Sequence, residues 1–290
     1  MSLYRRGNYR QALAKLAKAG IRKIAPAYAA RRWRPTTTPA EYSAVHADHI
    51  AALARRFGVK SAIHPDDHIF SFLLAHPGFT TDIVRATYYF EDGARSRMKL
   101  ESLTRELLLK DGHSLLEFAS GYGCVTRHLT NSSADLWACD IHPAAINFLQ
   151  HELDARAFQS SSFPEKLEVP QQFDVVFALS FFSHMPIATW ARWLVRLVQV
   201  TRSGGFVIFT THGLKSQPHV RDGVVIPPTG FWFVPASEQP DLPTEQYGQT
   251  ITTPTFVQTA IASIQGVRLV KFEEAAWWSH QDLYVLEVMP

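Results

Sequence analysis

From residue 112 onward, short apolar runs alternate with amphipathic stretches. The runs lie near Ser114, Leu136, Ala157, Val175, Phe206, Leu269 and Tyr284, and helical spacing follows Cys124, Ala144, Thr189 and Thr255. A short apolar run without strict alternation suits a strand covered on both faces. Strands that alternate with helices imply a mainly parallel sheet. The pattern therefore predicts an α/β fold with a seven-stranded, mainly parallel sheet and helices on both faces. Upstream of Gly112 the spacing is helical. Residues 41–57 place Ile50, Leu53 and Phe57 on one face, residues 64–75 tolerate Pro65 in a first turn, and residues 80–109 read as a long helix interrupted near Asp92 and Gly93.

Punctuation divides the chain. Residues 1–39 form a basic helical arm ending in a Pro- and Thr-rich linker, residues 40–111 a helical cap, and residues 112–290 the α/β domain. Within the last lies a Pro- and Gly-rich stretch, about 212–253, too long for a simple connection. Its aromatics, Phe231, Trp232, Phe233 and Tyr247, argue against disorder and for an insertion on the substrate side, with Trp232 and Tyr247 as candidate substrate contacts.

Charge changes this picture at one end. Residues 1–40 hold ten basic residues and no Asp or Glu, which leaves 19 basic and 26 acidic residues in the remainder. A basic arm on an acidic body can pack against its own or a neighbouring subunit, or lie on an anionic membrane surface; nucleic acid is the least favoured partner. No apolar run approaches the ~18 residues of a membrane span. The two cysteines, Cys124 and Cys139, lack zinc-ligand spacing and suit a reducing compartment. The expectation is a cytoplasmic protein, with peripheral contact to the inner membrane as an option, and with oligomerisation open.

The densest chemistry sits at Leu115-Leu116-Glu117-Phe118-Ala119-Ser120-Gly121-Tyr122-Gly123, followed by Asp140 at the end of the next apolar run. Strand, acidic corner, glycine turn, helix, strand and acidic corner make a nucleotide-cofactor cradle. Gly121 and Gly123 let the backbone turn sharply beside a ligand, and Asp140 can accept both hydroxyls of a ribose. A dinucleotide loop would need a third glycine where Thr126 stands. Glu117 beside a pyrophosphate would cost Coulomb energy, whereas beside a cationic amino-acid moiety it gains energy. Glu117 therefore favours S-adenosylmethionine over NAD.

With these residues the chain resembles the class I S-adenosylmethionine-dependent methyltransferases. Glu117, Gly121 and Gly123 match the family's first motif, with Ala119 in place of its first glycine, a mild departure if the backbone there keeps φ negative. Asp140 matches its ribose acid, residues 173–180 its fourth motif, and residues 202–209 its turn into the fifth strand. The resemblance implies a Rossmann-like fold and cofactor contacts from Glu117, Ala119, Gly121, Gly123, Asp140, Ile141, Ser180 and Phe182. Ser161 and Ser162 stand where the family often has an acid beside adenine. Within the family the chain looks most like bacterial enzymes acting on small molecules or saccharide-linked acceptors. Methyl transfer to oxygen is the expected reaction, and a non-catalytic cofactor-binding scaffold working through the basic arm is the alternative.

An oxygen nucleophile benefits from a general base. His184, His212 and His280 each lie at or beyond a predicted strand end and are the candidates, each with the alternative of capping a strand. Tyr88 and Arg97 are candidates to close over the methionine end. The cluster His64, Asp66, Asp67, His68 and His76 invites a metal reading, but no third ligand follows at a usual spacing, and no metal is expected.

Overall fold

The computed structural model describes residues 35–290, apart from 222, 237, 238 and 240. The basic helix expected in the first 34 residues lies outside the described residues. Among the described residues no helix is long and apolar enough to cross a membrane.

Among the described residues, four helices precede the sheet: α1 (Pro39–Val45), α2 (Ala47–Phe57), α3 (His68–Ala75) and α4 (Asp82–Glu106). They differ from the sequence pattern in three places, each for a local reason. The helix expected over 41–57 breaks at His46, whose ring packs on Tyr42 and pairs with Asp82 at 3.3 Å. The one expected over 64–75 starts only at His68, because the Asp67 carboxylate accepts the Phe70 N–H at 2.9 Å and caps it there. The expected interruption at Gly93 is absent, and α4 runs through it. A Cβ on Gly93 would stand 2.2 Å from the Cys124 carbonyl oxygen. That glycine serves close packing, and its low helix propensity of ~1 kcal/mol is outweighed by tertiary contact.

The main sheet contains β1 (Ser114–Phe118), β2 (Asp135–Asp140), β3 (Arg156–Gln159), β4 (Phe173–Ala178), β5 (Thr201–His212), β8 (Val267–Trp277) and β9 (Gln281–Val288) in the order β3-β2-β1-β4-β5-β9-β8. The strands β1 to β5 pair in parallel, and β9 runs antiparallel to β5 and β8. All seven expected strands are present. Between and after them come α5 (Thr126–Leu129), α6 (Pro143–His151), α7 (Ile187–Gln199), α8 (Gln217–Val220) and α9 (Pro254–Ala262).

Alternation across the strands explains the continuous apolar runs. Leu116, Val176 and Val207 pack with Trp190 and Leu194 of α7 on one face. Leu115, Val175 and Ile208 pack with Leu100 and Leu103 of α4 on the other. In β1 and β4 both faces are covered, so their positions must be apolar or satisfied internally, whereas the outer strands β3 and β8 keep exposed positions.

Two further features fix the parts to one another. Arg127 of α5 is buried, and its guanidinium donates to the carbonyls of Lys60 (3.0 Å) and Ala62 (2.8 Å) and to the Tyr89 hydroxyl (3.2 Å). Tyr89 in turn donates to Asp67 at 2.5 Å, so this chain of bonds joins the helices before β1 to the sheet domain. The 212–253 stretch is not a bare loop. It contains the antiparallel pair β6 (Phe231–Val234) and β7 (Gln249–Thr252), with the Thr250 hydroxyl donating to the Met185 carbonyl at 2.6 Å.

Candidate functional site

The strand order reverses between β1 and β4, and in open α/β sheets such a switch point, at the carboxyl ends of the strands, is where ligands bind. Glu117 stands at that edge on β1, buried, with the Thr126 hydroxyl donating to its carboxylate at 2.7 Å. Burial pushes its pKa up to about 8, and among the described residues no cation pairs with it. Thr126, at the place of a third loop glycine, is therefore a partner of Glu117. The helix expected after Cys124 is the four-residue α5. So short a helix offers little dipole to an anion, unlike the helix of a dinucleotide loop.

Ala119 corrects an expectation: its φ is +58°, in the left-handed region, rather than negative. The conformation is strained for a residue with a Cβ. It turns the chain so that Gly121, at φ +55°, presents its N–H to the Asp140 carboxylate at 2.8 Å. Where a Gly121 Cβ would stand there is open space. Asp140 also accepts from the backbone N–H (3.0 Å) and Nδ1 (2.8 Å) of His142, and this hydrogen bond raises the imidazole pKa. Ile141 lies between them, its carbonyl accepting from Gln159 at 3.2 Å. Beyond β3, Ser161 accepts the Phe163 N–H at 3.1 Å, and Ser162 is exposed.

At the end of β4, Ser180 is also left-handed, at φ +60°. Its N–H donates to Thr210 (2.8 Å), Thr210 donates to the Gln281 side-chain oxygen (2.7 Å), and the Gln281 amide donates back to the Ser180 hydroxyl (2.8 Å). Sequence reasoning missed Thr210 and Gln281 as parts of the site. The available signal was a pair of polar residues inside otherwise apolar strands. Phe182, expected against the cofactor, is instead a core residue. Its ring is fully buried, 4.8 Å from Trp190 and 4.9 Å from Phe209, while the half-buried ring is Phe181.

The three candidate histidines, far apart in sequence, form a row. Ring centroids of His184 and His212 are 6.1 Å apart, and those of His212 and His280 are also 6.1 Å apart. His219 extends the row, 4.6 Å from His280. His184 Nδ1 faces the Gly248 carbonyl at 2.9 Å, and its ring stacks on Tyr247 at 4.5 Å and 7°. His280 Nδ1 faces the Trp278 carbonyl at 3.0 Å. A carbonyl can only accept, so Nδ1 carries the proton in both rings and Nε2 is the acceptor nitrogen. Burial lowers His280 to about 4 and, with repulsion from neighbouring histidines, holds His212 well below the ordinary imidazole range. Trp232 lies in the hairpin opposite Ile251.

Arg97 does not close over the site. It bonds Glu101 at 2.7 Å and the Asn131 carbonyl at 3.0 Å, beside the turn leading into the amino end of β2. Tyr88 packs with Phe79 and Arg95. His64 stacks on Tyr122 at 4.3 Å rather than joining His68 around an ion. A cavity of about 480 Å³ opens beside His64, between α2 and α6, and none of the predicted cofactor or catalytic residues lines it.

Residues 116–207 match the family model described as a methyltransferase domain. That segment spans β1 to the middle of β5 and so includes Glu117, the glycine turn and Asp140. The chain is similar in structure to an S-adenosylmethionine-dependent methyltransferase from Clostridium acetobutylicum ATCC 824, with 10% identity, 70% of this chain and 92% of that chain covered, and a TM-score of 0.49. It is similar to the CcbJ methyltransferase from Streptomyces caelestis, with 14% identity, 69% and 90% covered, and a TM-score of 0.49. It is also similar to CalS10, an amino pentose methyltransferase from Micromonospora echinaspora, with 12% identity, 69% and 92% covered, and a TM-score of 0.45. No curated protein sequence matches the chain.

Proposed function

We propose that this protein transfers a methyl group from S-adenosylmethionine to an oxygen of a small-molecule or saccharide-linked acceptor. The observation that carries the reading is a buried carboxylate, Glu117, that has no cationic partner among the described residues and lies beside a glycine turn whose open side adjoins Asp140. Glu117 fits the ammonium of the cofactor's methionine moiety, Asp140 with Ile141 fits its ribose, and Ala119, Gly121, Gly123 and Ser180 form the backbone around it. Ser161 and Ser162 fit the adenine side.

S-adenosylmethionine supplies a methyl group on a sulfonium, which is already an activated leaving group. The protein's share is to align the acceptor and exclude water. As an alcohol oxygen is alkylated it becomes strongly acidic, so even a weakly basic imidazole takes its proton. His212 and His280, neutral near pH 7 because burial disfavours their charged forms, fit that role, His280 at its Nε2. His184, held by Gly248 and Tyr247, ties the row to the insertion and supports the acceptor side, with Trp232 as a further contact.

Release of S-adenosylhomocysteine in the presence of hydroxylated and saccharide-linked acceptors tests the reading. Turnover with at least one acceptor, reduced at least tenfold by His212→Ala or His280→Ala, supports it. Tight cofactor binding with no turnover across the panel contradicts it and favours a scaffold.

A further inference from the structure

Three donor atoms converge where the helices before β1, the sheet and the insertion meet. They come from His68, the first residue of α3, His142, in the loop after β2, and Asp241, in the insertion. All lie within 4.8 Å of one another, and among the described residues this is the one such group. His142 Nε2 is 2.9 Å from one Asp241 carboxylate oxygen, and His68 Nε2 is 3.7 Å from the other. These separations bracket the ~3.3 Å edge of a tetrahedron with metal–ligand bonds of about 2.0 Å.

Two independent observations point to a ligand there. First, both Nε2 atoms are buried without a well-formed hydrogen bond, an arrangement that buried imidazoles rarely tolerate. Second, His142 is oriented as metal-bound imidazoles are. Its Nδ1 faces Asp140 at 2.8 Å, which fixes that nitrogen as the donor and aims the Nε2 lone pair at the cluster. An imidazole nitrogen directed at a carboxylate needs a cation between them, either a proton on Nε2 or a metal ion.

We propose that His68, His142 and Asp241 bind one divalent transition metal of the zinc type, which clasps the insertion to α3 and to the carboxyl end of β2. Two imidazoles and one carboxylate suit zinc, cobalt or nickel and do not suit magnesium or calcium, which take oxygen ligands. The three ligands leave a fourth position for water. Because Asp140 supports His142 from behind, the clasp adjoins the residue assigned to the ribose, and ordering the insertion shelters that side of the crevice. The metal site itself does not rest on the proposed reaction.

The test is calorimetric titration of the chelator-stripped full chain with Zn²⁺, with Co²⁺ absorption as a second readout and proteolysis of the 212–253 insertion as a third. The expected result is one saturable site, visible-region cobalt bands, and protection of the insertion on adding zinc. Asp241→Ala and His68→Ala should each weaken zinc binding at least tenfold, roughly the scale of losses at such sites. Asp241 is exposed, so its substitution should leave the melting temperature of the metal-free protein unchanged. No saturable zinc binding, or binding that survives either substitution, overturns the proposal and leaves the three groups as an ion pair that shares a proton. Magnesium at tenfold excess should not displace zinc, and displacement would also overturn it.

Discussion

The two edges of the main sheet each carry a buried or half-buried carboxylate, and they are held in opposite ways. At the amino edge, Asp174 on β4 accepts from the Ser114 N–H and hydroxyl at 2.7 Å each and pairs with Arg202 at 3.0 Å. Burial alone would push its pKa up, but these bonds hold it below the usual carboxylate range. At the carboxyl edge, Glu117 has a hydroxyl for a partner and sits at about 8. Left-handed residues occur on both sides, Leu108 and Asp154 before β1 and β3, and Ala119 and Ser180 at the carboxyl ends of β1 and β4, but only the last two adjoin Glu117 and its hydrogen-bonded neighbours. One edge is satisfied internally and stabilises the fold. The other keeps an unmet charge preference and strained backbone, which a ligand can relieve.

The largest break in this comparison should come from Asp174→Ala. It strips partners from Arg202 and Ser114 and should lower stability by roughly 2–3 kcal/mol. Denaturant unfolding measures that loss, while affinity for S-adenosylhomocysteine should stay as it was. Asp140→Ala should do the reverse and weaken cofactor binding by roughly 1–3 kcal/mol. Unchanged affinity in a folded Asp140→Ala protein would show that the ribose assignment is wrong.

Glu117→Gln should weaken binding about tenfold, about 1.4 kcal/mol, and should also flatten a pH dependence. The sign follows from the raised pKa. Between the ordinary 4.5 and about 8 the empty folded protein keeps a proton on Glu117 that the unfolded chain has lost. This contribution to stability is full below the ordinary value and is lost as pH rises through about 8. A cationic ligand requires the ionised form, so cofactor affinity should rise from pH 6 to pH 8 in the wild type and stay level in Glu117→Gln.

The smallest effect expected is a gain. Ala119→Gly relieves a left-handed Cβ and should stabilise the protein by ~0.5–1 kcal/mol. Thermal unfolding checks it, and a lowered melting temperature would contradict the strain assigned to this turn.

The sheet was legible because both of its faces are covered, which forces continuous apolar runs such as 114–118. The acidic corners were legible too, since Glu117 and Asp140 interrupt those runs at their ends. Other features left no local trace. Gly93 has the composition of a helix break, yet its role is contact with Cys124 across the fold. The left-handed turn at Ala119 is set by tertiary structure and runs against the residue's own preference. Phe181 and Phe182 are identical in type, and only packing on Trp190 and Phe209 sends the second into the core. His142 and Asp241 meet His68 only in space, which is why spacing around His68 offered no third ligand.

The most direct test is calorimetric titration with S-adenosylhomocysteine at pH 7 in two buffers of different ionisation enthalpy, with NADH as control. The account predicts saturable binding of S-adenosylhomocysteine alone, with a proton released from Glu117 and a buffer-dependent heat that vanishes in Glu117→Gln. Binding of NADH instead, or binding of S-adenosylhomocysteine with no proton release, would contradict it.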